Sequence, residues 1–128
     1  MILDSSAIVA VLRREQGYRR LEEAMSGAST LAVAAPTLFE TGMVLTGRLG
    51  GDGRATVSKF LADWGAEIVP FGAGHWDAAY AAFVRFGKGR HPAALNYGDC
   101  MTYATARIAD LPLLCTGDDF PQTDLAIA

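Results

Sequence analysis

The chain has 128 residues, 51% hydrophobic and 20% charged, with a formal charge of −3. That composition excludes a disordered chain, and the length predicts one domain, residues 1–128, burying roughly two-thirds of its unfolded surface. It also excludes nucleic-acid binding through net charge alone, which needs a basic protein; acids that meet nucleic acid must be offset locally, as a divalent cation would do.

Met1–Asp4 reads as a short apolar strand ending in an acid. A helical pattern covers 6–14, and Tyr18, Leu21, Met25 and Ala28 recur at the spacing of one helix face. Leu31–Ala35 is a second strand candidate, and Pro36 suits the first position of the next helix, whose stripe is Leu38, Gly42, Leu45 and Leu49. After the turn Gly50-Gly51-Asp52-Gly53, Val57, Phe60, Leu61 and Trp64 predict another amphipathic helix. Ala66–Phe71 is a third strand, Trp76, Ala79, Tyr80 and Phe83 a further helix, and Gly87–Pro92 a basic loop. Cys100, Ala104, Ile108 and Leu111 mark the last helix, Leu113–Thr116 the fourth strand and Leu125–Ile127 a short fifth.

Strands separated by helices predict an α/β fold, a mainly parallel sheet of four or five strands between two helical layers. Ligands of such sheets bind at the carboxyl ends of the strands. No apolar run approaches the ~18 residues of a membrane helix, and Met-Ile-Leu-Asp lacks the basic start of a signal peptide. The expectation is a cytoplasmic protein with no membrane contact. Cys100 and Cys115 lie in apolar settings and read as core thiols. No Cys/His spacing suggests zinc.

Of the 14 acids, most fall on polar helix faces. Asp4, Glu40, Asp99 and the pair Asp118 and Asp119 instead fall at strand ends or helix starts on one edge of the sheet. Singly, each could cap a helix, complement its dipole or sit in a turn. Together they form a cluster whose repulsion only cations relieve. Oxygen ligands without His or Cys favour Mg²⁺ or Mn²⁺, which serve phosphoryl chemistry. No P-loop and no nucleophile elbow is present, leaving hydrolysis by an activated water.

The segments Met-Ile-Leu-Asp4-Ser5-Ser6, Pro36-Thr37-Leu38-Phe39-Glu40, Leu95-Asn96-Tyr97-Gly98-Asp99 and Cys115-Thr116-Gly117-Asp118-Asp119-Phe120 with Thr123-Asp124 resemble, in order and spacing, the PIN-domain family and within it the VapC-type toxins. The resemblance implies a three-layer α/β/α PIN-like domain and a Mg²⁺-dependent endoribonuclease, with Mn²⁺ a possible substitute. Asp4 and Asp99 would be the principal metal ligands, Glu40 would complete the pocket, and Asp118 is favoured over Asp119 as the fourth acid because it follows the strand sooner. Ser6 and Thr116 would support the carboxylates. The resemblance also implies RNA as substrate, a cognate antitoxin and a homodimer, with Leu12, Tyr18, Leu38 and Met43 among the apolar positions open to a partner.

Arg85, Lys88, Arg90 and His91 stand out in an acidic chain. They read either as a solvated helix end or as a strip that positions RNA phosphates, with His91 less suited to act as a base. Two other readings stay open. One is a catalytically silent PIN-like binding module. The other is a phospho-receiver-like domain, which fits poorly, since the first strand ends in a single acid and no Lys follows Lys88.

Overall fold

Four strands of two or three residues lie side by side in the computed structural model, which describes residues 1–128 except for the side chain of Leu49. They are β1 (Ile2–Leu3), β2 (Ala32–Ala34), β3 (Glu67–Val69) and β4 (Leu113–Leu114), all parallel in the order β3-β2-β1-β4. The expected fifth strand shrinks to one parallel bridge between Leu113 and Ile127. Only Leu113 pairs outward, accepting from Ala128 N–H and donating to the Ala126 carbonyl, both at 2.9 Å. The chain before it is wound into a 3₁₀ turn, Phe120–Gln122, and reaches the edge too late to pair further.

The two-residue period of the strands sorts their side chains onto two faces. Ile2, Ala32 and Leu113 pack with Ala79, Phe86 and Tyr103 on one side. Leu3, Val33 and Leu114 pack with Ile8, Leu21, Met25 and Phe60 on the other. Helices α5 (Ala73–Phe86) and α6 (Tyr97–Ala109) thus cover one face, and α1 (Ser5–Arg13), α2 (Tyr18–Gly27) and α4 (Arg54–Trp64) the other. Near-complete burial on both faces is why β1, β2 and β4 read as apolar runs without alternation, whereas β3 at the edge is largely exposed. Helix α3 (Ala35–Leu49) packs Leu45 against Val9 and Val57. Its stripe ends at Leu49, whose side chain lies outside the described residues. Gly53 lets α4 turn back tightly, because a Cβ there would meet the Gly42 carbonyl oxygen at 2.8 Å. Among the described residues, no helix is long and apolar enough to cross a membrane.

The chain winds outward from β1 through β2 to β3, then returns to place β4 on β1's other side. The winding reverses between β1 and β4, which opens a crevice at their carboxyl ends.

Candidate active site

Three helices begin at that edge. α1 and α3 follow β1 and β2 directly, and α6, which precedes β4, starts where β4 ends. This is how Asp4, Glu40 and Asp99, far apart in sequence, come to share one crevice.

Asp4 is 4% exposed and caps α1. Its Oδ2 accepts from Ser6 N–H at 2.9 Å and from Ser6 Oγ at 2.6 Å, and its Oδ1 from Thr102 Oγ1 at 3.0 Å. Each hydroxyl has one proton. Thr102, donating to Asp4, must accept from Thr37 Oγ1 at 2.9 Å. Ser6 Oγ likewise accepts from Thr116 N–H at 3.0 Å, which ties the end of β4 to the end of β1. A carboxylate offers about four acceptor positions; the three donors fill both on Oδ2 and one on Oδ1, leaving one open. The cap and the cluster are thus one carboxylate performing both tasks.

Asp99 also does double duty. Its Oδ2 accepts from Asn96 N–H at 2.8 Å, and its own N–H donates to Asn96 Oδ1 at 3.0 Å, a reciprocal cap on α6. Burial raises its pKa, helped by the charges of Asp4 and Asp119 and opposed by the Asn96 hydrogen bond. Burial likewise raises Glu40, then the charge of Asp4 and that of Asp99, against a lowering hydrogen bond from Ser5. The Glu40 carboxylate rests on Gly98, where a Cβ would lie 2.7 Å from both oxygens. Gly98→Ala should therefore keep or slightly raise Tm, since alanine favours a helix over glycine by about 1 kcal/mol. It should also push Glu40 aside and weaken Mn²⁺ binding roughly tenfold, as loss of a supporting contact does. Titrating the folded variant with Mn²⁺ checks this; unchanged affinity would detach Glu40 from the pocket.

The adjacent acids separate. Asp119 raises both Asp99 and Cys115 by its charge, whereas no such coupling involves Asp118. Asp119 thus acts on the crevice by its charge, while both Asp118 and Asp119 are exposed. Gly117, at φ +84°, bends the chain between β4 and these two acids. Thr116 contributes its backbone N–H to Ser6, and a second hydroxyl on Asp4 comes from Thr102. Thr102 went unnoticed in the sequence, although it lies three residues after Asp99 on the same helix face. The thiols are inert, Cys100 pushed up to about 11 and Cys115 to about 12, chiefly by burial.

The basic residues take different partners. Arg85 pairs with Asp124 at 2.6 Å. His91 accepts the Ala93 N–H on Nδ1 at 3.1 Å and sets its ring edge-on to Phe86. Arg90 lies over the Phe83 ring at 5.2 Å. Lys88, without an ion-pair partner among the described residues, lines a groove beside Asn96 and Tyr97 at the start of α6.

Among the described residues, ion pairs involve Glu15, Asp63 and Asp124, and no basic side chain neutralises Asp4, Glu40 or Asp99. Nor are three His, Cys, Asp or Glu side chains gathered closely enough to hold an ion unaided. The donors are hard oxygens with spare acceptor capacity. They suit Mg²⁺, which binds through one or two carboxylates and keeps several waters.

The sequence pattern of the PIN domain matches residues 1–125. The chain is 47% identical over 126 residues to ribonuclease VapC36 of Mycobacterium tuberculosis, covering 98% of this chain and 91% of that protein. Its fold is similar to crystal structures of VapC20 from M. tuberculosis, a Sarcin-Ricin loop cleaving toxin (TM-score 0.79, 17% identity, 99% and 97% of the two chains). It also resembles VapBC2 from Rickettsia felis bound to a DNA fragment from its promoter (TM-score 0.76, 15% identity, 99% and 96%).

Proposed function

The chain belongs to the PIN-domain family, among its VapC ribonucleases, and from that premise we propose that it is a Mg²⁺-dependent endoribonuclease, the cytoplasmic toxin of a toxin–antitoxin pair. The observation that carries the reading is a buried Asp4 with the half-buried Glu40 and Asp99 around it, none of them neutralised by a basic side chain among the described residues. A fold that only bound RNA would have no use for that repulsion, which is the argument against a silent binding module.

Asp4 and Asp99 would hold the ion, with Glu40 and Asp119 beside it and Mn²⁺ able to replace Mg²⁺. When bound, the ion supplies phosphate polarisation and water activation. The chain's own residues set the geometry. Ser6 and Thr102 fix both oxygens of Asp4, Thr37 fixes Thr102, and Asn96 fixes Asp99. Because Asp4 cannot rotate without breaking three hydrogen bonds, its open acceptor keeps one direction.

Exposed apolar grooves mark partner surfaces. One of about 660 Å³ lies between α3 and α4, lined by Leu38, Phe39, Met43, Val57, Leu61 and Ile68. Phe39 precedes Glu40, so an antitoxin segment in this groove would pass the carboxylates and could extend a basic side chain over Glu40 and Asp99. Of the other apolar positions offered to a partner, Leu12 and Tyr18 are partly exposed, and Leu12 also rests against the core. A second groove of about 640 Å³, lined by Trp76, Tyr80, Phe83, Tyr97 and Met101, would serve the homodimer.

Lys88 and Arg90 would contact RNA phosphates. Lys88→Ala and Arg90→Ala should each flatten the salt dependence of RNA binding by about 0.7 units of slope per lost contact, leaving Mn²⁺ affinity unchanged. An unaltered slope would return them to solvated surface. The reading as a whole is tested by expression: the wild type should arrest growth and shed cleaved RNA, and Asp4→Asn should do neither. Arrest without cleaved RNA would contradict it.

A further inference from the structure

We infer that Arg85, Asp124 and Tyr103 form a clasp that holds the segment carrying Asp119 against α6, which makes Arg85 a positioning residue and not an RNA contact. The inference rests on the nuclease reading above. Asp124 is held from two sides, Oδ1 accepting from the Tyr103 hydroxyl at 2.7 Å and Oδ2 from Arg85 at 2.6 Å. The Arg85 guanidinium lies 4.5 Å over the Phe86 ring, and Phe86 packs on Tyr103 with ring centroids 5.7 Å apart. Arg85, Phe86, Tyr103 and Asp124 therefore close a ring that joins α5, α6 and the closing segment. An isolated exposed ion pair would contribute little. This one is backed by two aromatic rings, each at most 6% exposed, and by a second donor.

The path from clasp to crevice is short and stiff. Gln122 N–H donates to the Asp119 carbonyl at 3.2 Å, Thr123 N–H and Oγ1 to the Phe120 carbonyl at 2.9 and 2.7 Å, and Phe120 is 3% exposed. Fixing Asp124 thus fixes Asp119 through one wound turn. Tyr103 follows Asp99 by four residues, one turn of α6. The same helix carries the anchor of the clasp and Asp99, on which the charge of Asp119 acts. The clasp is also consistent with ionisation: burial and Asp124 push Tyr103 up to about 12, and Tyr103 followed by Arg85 holds Asp124 below the usual carboxylate range.

The test compares wild type, Arg85→Ala, Asp124→Ala and the double variant in three readouts: RNA cleavage in Mg²⁺, Mn²⁺ titration, and amide exchange across residues 118–122. Each single variant should lower kcat roughly tenfold, leave the KM for RNA unchanged, weaken Mn²⁺ binding and speed exchange in that segment. The double variant should be no worse than either single, because the two share one function. Arg85→Lys should recover part of the loss. The inference is overturned if Arg85→Ala raises KM and flattens the salt dependence with kcat unchanged, or if the two effects add. If the wild type cuts no RNA, the nuclease reading fails, yet unchanged Mn²⁺ affinity and exchange in Asp124→Ala would still overturn the clasp on its own. Should Asp124→Ala not fold, Tyr103→Phe, which removes one donor and keeps the ring, takes its place with the same expectations.

Discussion

Asp99→Asn is expected to abolish RNA cleavage in a protein that still folds. The amide keeps an oxygen to accept the Asn96 N–H, so the reciprocal cap at the start of α6 survives; full loss of such a cap would cost about 1 kcal/mol. What disappears is a negative charge in a half-buried crevice. Neutralising it removes repulsion with Asp4 and Asp119, so the metal-free variant should melt at or above the wild-type temperature. Residues that merely support a metal ligand cost roughly 10–100-fold when lost, and removal of a principal ligand should exceed that range. Asp4→Asn should be equally inactive but less tolerant, because the amide's NH₂ would face Ser6 or Thr102 donors on at least one side. Near wild-type cleavage by folded Asp99→Asn would move the chemistry elsewhere.

The positions of Asp4, Glu40 and Asp99 at one sheet edge were legible in the sequence because parallel topology forces every strand end and the start of α6 to that edge. The choice between Asp118 and Asp119 was not. Both acids follow the left-handed bend at Gly117, and no local propensity separates two adjacent exposed acids after a turn. Thr102 and Thr37 were hidden for another reason. A threonine inside a helix reads as neutral, and only the packing of α3 against α6 shows that the two hydroxyls meet. The basic residues read alike in the sequence but take different partners in the fold. Arg85 and Lys88 are neighbours in sequence, yet Arg85 is drawn into a pair with an acid 39 residues later. The fifth strand was overread because an apolar triplet has no means of announcing how much of a neighbour's edge is left to pair with.

Stability should fall with rising pH in the metal-free protein and recover when a divalent cation is added. Glu40 and Asp99 both have folded-state pKa values raised, chiefly by burial. The folded state therefore holds their protons more tightly than the unfolded chain does. Their contribution to stability is fully present below the ordinary carboxylate range and is lost as pH rises through the raised values. Asp124, lowered by Tyr103, runs the other way and loses its contribution as pH falls. The effect of the cluster is therefore read as the difference between wild type and Glu40→Gln or Asp99→Asn, in both of which the downward slope should shrink. Mn²⁺ or Mg²⁺ at a hundredfold excess over its dissociation constant adds about 2.7 kcal/mol. For a domain of this size that raises Tm by roughly 10 °C near neutral pH. The rise should fade toward acid pH, as protons displace the ion, and should be small in Asp99→Asn. Equal shifts in both proteins would mean that the cation binds outside the crevice.

The carboxylates at the end of β1 and the start of α6 should cut RNA only with a divalent cation. Wild-type protein stripped with EDTA and then titrated with Mg²⁺ over a labelled RNA measures this directly. Cleavage should be absent without the ion, rise saturably with it, and be restored also by Mn²⁺. Undiminished cleavage in the stripped protein, or saturation by Mg²⁺ that is the same in Asp99→Asn, would contradict it.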